Sequence, residues 1–447
     1  MDERIFRSLK DNWAAGGLRR PDTRKALLKK LRGRIKAHED DIIAAERADF
    51  NKCAFDVYAT EISLVYGEID CAIRHLSSWA RPRRTRVSLP NFPARCTVTP
   101  EAYGVVLVIA PWNYPFQLAL APLVGAVAAG NCAVVKPASA TAETARVIGT
   151  ILRETFAENE VYCETGGRDA VNVLDFPFDM IFFTGGAATG RKILRIAAER
   201  LTPVVLELGG KSPCIVDRDC DVRTAARRIA WAKFLNAGQT CVAPDYLYLH
   251  EDVYDAFMAA LCAEIRAQYY EDGGLSRDFA AVITENKAES VRAMLQGCRI
   301  LFGGSGAGRV LEPTVIEADQ DSPFMREEIF APVLPVLRYS DNEAIRAEIA
   351  SRPRPLALYY FGRNPAPFTE GLSFGGGCVN DAVMHVTEHA APFGGVGASG
   401  MGRYHGKYSF EAFSHCKTVL YKSRRELKLK YPPHTEKRLS LLRRLLG

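Results

Sequence analysis

Cys241, in the stretch FLNAGQTCVAPD, lies where a helical pattern stops and a strand pattern begins. A thiol at such an elbow can be exposed and nucleophilic. Three other stretches carry groups that complement it. LELGGKSP ends an apolar run on Glu207 and follows it with two glycines that leave space, a setting in which a carboxylate can act as general base. PWNYP puts Asn113 just past the apolar run GVVLVIA, where a side-chain amide can donate to a developing oxyanion. FFTGGAATGR puts Gly185 and Gly190 between a strand pattern and a helix pattern, a turn that suits a phosphate. Each has an ordinary structural reading by itself: Cys241 as a small hydrophobe, Glu207 as half of a salt bridge, Asn113 as a turn residue, the glycines as a plain βα turn. Together, a thiol, a carboxylate, an amide donor and a phosphate turn are the parts of covalent carbonyl chemistry with a nucleotide cofactor.

Such groups must be carried to one place by the elements around them. Residues 1 to 85 read as helical, with apolar and charged positions interleaved at helical spacing. The proline-rich RPRRTRVSLPNFPARCTVTPEAYG then breaks into short strands. Beyond it the chain alternates: strand GVVLVIA, helix PFQLALAPLVGAVAAG, strand NCAVVKPA, helix SATAETARVIGTILRETF, strands AVNVL and MIFFT, helix TGRKILRIAAERL, strand PVVLEL. Alternation of this kind means βαβ units and a parallel sheet. A second series starts near Ser212, with helix DVRTAARRIAWAKFL, strand DYLYLH and helix VYDAFMAALCAEIRAQ, so two α/β domains meet around residues 208 to 211. Val105 to Val135 is apolar enough to suggest a membrane span, but its polar residues, prolines and glycines favour a strand–helix–strand unit.

Composition narrows the class. A chain of 447 residues exceeds one ordinary core, and 48% hydrophobic with 25% charged residues is normal for a soluble globular protein. Twelve cysteines without CxxC pairs argue for reduced thiols, with neither a disulfide framework nor a metal site. The start, MDERIFRSLKDNW, has no apolar signal region, and the expectation is a cytoplasmic protein. The net charge of +6 resides in the tail: residues 417 to 447 hold ten Lys or Arg and two Glu, which is +8 and leaves −2 for the rest. A near-neutral body argues against nucleic-acid binding.

The combination PWNYPFQLALAPLVGAVAAGNCAVVKPA, FFTGGAATGR, LELGGKSP, NAGQTCVAPDY, EEIFAPVLPV and PFGGVGASGMGRYHGKYSFEAFSHCKTV resembles the aldehyde dehydrogenase superfamily over almost the whole length. The short N-terminus, GQTCVAPDYLYL and the tail are similar to its class 3 branch, which includes fatty and aromatic aldehyde dehydrogenases. The resemblance implies an α/β fold of two Rossmann-type parallel-sheet domains plus a small β oligomerisation segment. Residues 1–84 and 101–208 would form the NAD(P)-binding domain and 209–395 the catalytic domain. Residues 85–100 and 396–447 would form the bridging segment and tail. It implies Cys241 as nucleophile, Glu207 as base for the deacylating water, and Asn113 with the Cys241 N–H as oxyanion hole. Lys136 would contact the adenine ribose, the Gly185, Gly186 and Gly190 turn the pyrophosphate, and Glu328 the nicotinamide ribose, with Phe330 beside the ring. Trp112 and Leu208 complete the implied cofactor site. The implied reaction passes through a thiohemiacetal and a thioester on Cys241 to the carboxylic acid.

Three positions depart from the family pattern. Ser139 stands where many relatives carry a ribose-binding Glu, so a 2′-phosphate is not repelled and NADP is expected beside NAD. FTGG replaces FTGS, and Ala331 replaces a Gly. The competing readings are a cofactor-independent thiol hydrolase and a non-enzymatic scaffold. Lys136, Glu328 and Phe330 weigh against the first, Cys241 with Glu207 against the second. Tyr66, Tyr114, His385 and Thr387 could line a substrate tunnel, with core packing as the plainer reading. The implied partners are a small aldehyde and a second copy in a homodimer, in which residues 85 to 100 pack with a strand expected at 414 to 421. Past Pro432 and Pro433 the tail presents Leu439, Leu442, Leu445 and Leu446 near one helical face among arginines. Such a helix either docks on a subunit or makes at most peripheral contact with an anionic membrane.

Overall fold

The computed structural model describes residues 1–165, 173–425 and 430–446. Its first sheet runs Gly400–Met401, Val204–Glu207, Met180–Thr184, Val105–Ile109, Cys132–Lys136, Val161–Cys163. All pairs are parallel except the first, where Gly400 opposes Glu207. The runs VVLVI, CAVVK and MIFFT are buried at every position, as parallel strands covered on both faces must be. The helix Gln117–Ala129 is buried on all sides, packed against Pro21–Ala37, Ser63–Trp79 and Gly406–Ala412. That enclosure is why residues 105–135 can be so apolar without entering a membrane. The strand expected at 170–174 falls mostly outside the described residues, and the sheet edge is instead Val161–Cys163, too short and mixed to stand out in the sequence.

The second sheet runs Arg299–Phe302, Thr314–Glu317, Val333–Tyr339, Tyr246–His250, Pro213–Val216, Ala357–Phe361, Gly376–Val379, antiparallel only in its first pair. A third, antiparallel sheet joins Arg83–Thr85, Ala94–Ala102 and Ser414–Lys422, pairing Ala94 with Lys422 and Ala102 with Ser414. The N-terminal region folds into helices Glu3–Ala14, Pro21–Ala37, Glu39–Phe50 and a run from Ala54 to Trp79, laid over the first sheet.

In the first sheet Ile109 pairs with Lys136 and Phe183, and Thr184 with Glu207, so the carboxyl ends of four strands form one rim. The tail forms a helix, Glu436–Leu446, on which Leu439 and Leu441 remain exposed and Arg438 donates back to the carbonyls of Tyr431 and Pro433 at 2.8 Å. Of the face expected to dock, Leu439 is exposed and Leu442 half-buried. Among the described residues no helix is long and apolar enough to cross a membrane.

Candidate active site

One cavity of about 220 Å³ opens between the two large sheets. Residues that follow strands of the first sheet line one side: Trp112, Asn113, Gly185, Gly186, Glu207 and Leu208. Residues that precede strands of the second line the other: Cys241, Glu328, Phe330 and Leu356. Carboxyl ends of one sheet thus face amino ends of the other across the cavity. Nine of the twelve residues singled out from sequence meet here.

The elbow that presents Cys241 is left-handed over three successive residues, Asn236, Ala237 and Gly238, at φ 51°, 52° and 73°. Two of them carry a Cβ and bear the strain such a conformation costs. At Gly238 a Cβ would collide with the Ala331 carbonyl oxygen, so glycine is required. Buried Gln239 ties the elbow down: its amide donates to Asn236 and Ala281 carbonyls, each at 3.0 Å, and its oxygen accepts from Ile283 N–H at 2.8 Å. Asn113 joins the same mesh. Its Nδ2 donates to the Gln239 carbonyl at 3.0 Å, and its own carbonyl accepts from Asn236 Nδ2 at 2.8 Å. The Tyr114 and Thr240 hydroxyls hydrogen-bond at 2.6 Å.

Electrostatically the cavity resists charge. Cys241 is reached from the cavity yet surrounded by protein, and burial, then the nearby Glu328 and Glu207, push its thiol up to about 12. Glu207 is buried with neither carboxylate oxygen hydrogen-bonded, and burial alone raises it well above the usual carboxylate range. Burial and then Asp245 raise Glu328 to about 8, against the Gly210 N–H and the Lys211 and Lys233 ammoniums. A Cβ on Gly209 would strike the Glu328 carboxylate, which explains the first glycine of LGG. Phe330, at φ 51°, meets Trp112 edge to face with ring centres 5.4 Å apart.

Three expected residues do not line this cavity. Lys136 is buried at the neighbouring strand end, its Nζ donating to the Pro137 carbonyl at 3.3 Å, and Ser139 is exposed just beyond it. Gly190 lies behind Leu208, whose Cδ2 would stand 2.8 Å from a Cβ there. The tunnel candidates are also elsewhere: Tyr66 donates to Glu39 at 2.6 Å, Tyr114 shares a hydrogen bond with Thr240 of the elbow, and neither they nor His385 and Thr387 line the cavity. Of the pattern departures, Gly186 does line the cavity, with open space where a side chain would stand. Sequence reasoning missed Leu118, Leu356, Phe393 and Tyr404, apolar or aromatic side chains that also line the cavity. Phe393 lies in the quoted PFGG stretch, but nothing in its spacing says that the strand-end turn carrying it faces Cys241.

The aldehyde dehydrogenase family pattern matches residues 8–419. The chain belongs to the aldehyde dehydrogenase family. Among its relatives, a Staphylococcus aureus 4,4'-diaponeurosporen-aldehyde dehydrogenase is 42% identical over 424 residues, 93% of this chain and 92% of that protein. A dog aldehyde dehydrogenase named as dimeric and NADP-preferring is 40% identical over 421 residues, 92% of this chain and 93% of that one. A solved structure titled as the substrate-bound state of Staphylococcus aureus AldH superposes with a TM-score of 0.96 at 40% identity, covering 100% of each chain. This aldehyde dehydrogenase accordingly oxidises aldehydes with NAD or NADP, and the expected fold stands: two mostly parallel sheets and a small antiparallel one.

Proposed function

We propose that this enzyme oxidises apolar aldehydes, medium- or long-chain aliphatic or aromatic, through a thioester on Cys241, and accepts NADP alongside NAD. The observation that carries the reading is the meeting of Cys241, Glu207 and Asn113 in one cavity that Leu118, Leu356, Phe393 and Tyr404 also line. In this scheme the Cys241 sulfur attacks the aldehyde carbon, giving a thiohemiacetal whose oxyanion takes hydrogen bonds from the Asn113 amide and the Cys241 N–H. A bound nicotinamide supplies the hydride acceptor that turns the thiohemiacetal into a thioester. Glu207 then removes a proton from the water that attacks the thioester carbon, and the acid leaves as Cys241 recovers its thiol.

The residues present suit such a cofactor. Gly209 leaves the Glu328 carboxylate room to meet a ribose, Gly186 leaves open space on the phosphate turn, and the Thr184 hydroxyl is buried without a partner beside it. Lys136, Ser139, Trp112, Leu208 and Phe330 are assigned to the same ligand, Lys136 and Ser139 at its adenosine end. Ser139 brings no negative charge there, which is the support for NADP.

A cytoplasmic homodimer is the assembly we propose, with tail contact to a membrane surface at most reversible. The strand Ser414–Lys422 is an unpaired sheet edge with Leu420 and Tyr421 exposed, a surface that favours association. Light scattering should give the mass of two chains, and the mass of four would contradict it. The substrate reading is tested by kcat/KM over aldehydes of increasing apolar length, followed by reduced-cofactor absorbance. Efficiency should climb by several-fold per few methylenes, about tenfold being the scale of one or two buried CH₂ groups. Equal efficiency for acetaldehyde and a long aldehyde would sink it. Ester cleavage without any cofactor-linked oxidation would favour the hydrolase instead.

A further inference from the structure

Outside the cavity, one feature of the N-terminal helical region is costly and touches the site. Glu46, Lys52 and Glu61 are each 1% exposed or less, two acids and a base in a place where charges are expensive. Lys52 Nζ donates to Glu46 at 2.9 Å and is paired with Glu61. The same ammonium donates to the Asn113 carbonyl at 3.2 Å and sits 4.6 Å from the centre of the Tyr114 ring. Glu61 in turn accepts from the N–H groups of Phe116 and Gln117, at 2.8 and 3.1 Å, at the start of the helix Gln117–Ala129. Burial, and then the neighbouring Glu61, push Glu46 well above the ordinary carboxylate range, against the pull of the Lys52 ammonium.

The cluster is placed at the points that orient Asn113. The Asn113 carbonyl takes two donors, Lys52 Nζ from the N-terminal region and Asn236 Nδ2 from the Cys241 elbow. With that peptide plane held, the Asn113 side chain leaves its Cα in one direction, and its Nδ2 bond to the Gln239 carbonyl joins it to the elbow. Tyr114, under the ammonium, reaches Thr240, the residue before Cys241. Phe50, whose ring centre lies 5.0 Å from Lys52 Nζ, stacks on Trp112 with ring centres 6.2 Å apart. Capping Phe116 and Gln117 needs only an acceptor. The ammonium offsets the buried Glu61 carboxylate and, from the same place, holds the Asn113 carbonyl.

We propose that Lys52, held by Glu46 and Glu61, is a positioning residue for the oxyanion hole, locking the Asn113 turn and through Tyr114 and Thr240 the approach to Cys241. This rests on the reading of Asn113 as the oxyanion donor. A misplacement of such a donor is felt first in the acylation step, while cofactor affinity, which of this turn involves only the neighbouring Trp112, changes little.

The experiment is a double-mutant cycle on the full-length enzyme, read as the single-turnover burst of reduced cofactor, with cofactor Kd and thermal melting measured beside it. Lys52→Met should melt cooperatively, bind cofactor as the parent does, and slow the burst about 10- to 100-fold. Asn113→Ala should slow it by about 100-fold or more. The double variant should be no slower than Asn113→Ala by more than about threefold, since both changes remove one function. The charge-neutral pair Lys52→Met with Glu61→Gln provides a second route if Lys52→Met alone does not fold, and the same burst loss is expected. An unchanged burst in Asn113→Ala strikes the oxyanion reading itself. A loss in Asn113→Ala with none in the Lys52 variants, or with fully additive losses, overturns the positioning proposal alone. Failure of both Lys52 variants to fold also overturns it, marking the cluster as a stability element.

Discussion

Two parts of the cavity wall are built on opposite principles. In the mesh that ties the Asn113 turn to the Cys241 elbow the side chains are held in place: Gln239 makes three hydrogen bonds, Asn113 is held at both its carbonyl and its amide, and Tyr114 is tied to Thr240. The Glu207 carboxylate, by contrast, accepts no hydrogen bond from the protein. Groups that must point in one direction at a developing charge gain from being fixed beforehand. A carboxylate that is to take up a proton gains from the reverse, because partners that stabilise the ionised form would weaken it as a base.

The largest expected effect breaks the fixed side outright. Cys241→Ala should lower both aldehyde oxidation and any ester cleavage by about 10⁴-fold or more, since no covalent route remains. Retained esterase activity would take the thiol out of the chemistry.

Glu207→Gln attacks the free side and should leave acylation and hydride transfer standing. The expected trace is a burst of reduced cofactor near one per site, then turnover slowed about 10²- to 10⁴-fold. Full steady-state activity would remove Glu207 from the base role.

A pH profile sharpens the contrast without altering a residue. In the proposed base role Glu207 must be ionised, and burial raises its folded pKa, so that form would be lost as pH falls through a point well above the usual carboxylate range. The Cys241 thiol, pushed up to about 12, becomes thiolate as pH rises. Both signs agree, so kcat/KM should rise from about pH 6 to pH 9. A flat profile over that span would show that neither shift governs turnover.

The smallest expected effect lies outside the cavity. Ser139→Glu should move the NADP-to-NAD efficiency ratio toward NAD by about tenfold, with aldehyde KM unchanged. An enzyme that already refuses NADP would show that Ser139 does not set the preference.

How far the sequence could be read depended on where each residue sits. Strand ends were legible because VVLVI, CAVVK and MIFFT are continuous apolar runs, and residues past such runs fall on the rim of a parallel sheet. Asn113, Glu207 and Gly185 were found in this way. Cys241, Glu328 and Phe330 precede strands of the second sheet, where no periodicity marks a rim, and only the family resemblance singled out the last two. The wall of Leu118, Leu356, Phe393 and Tyr404 left no local signal, because an apolar residue facing a cavity looks like one facing a core. The tail shows the converse: its amphipathic pattern is plain in sequence, yet Leu439 stays exposed.

Sequence alone was enough for the family and its class of chemistry, for the two βαβ series, and for singling out Cys241, Glu207 and Asn113, which the structure brings to one cavity. Tertiary structure alone decided that Glu207 stands without partners while Asn113 is held from two sides. It also brought Lys52, 61 residues from Asn113 in the chain, into contact with the Asn113 carbonyl. Burial and hydrogen bonding between distant segments depend on how two sheets and an N-terminal helical layer pack together. No window of sequence contains that information, because the energies that shift a pKa or fix a peptide plane are set by neighbours in space.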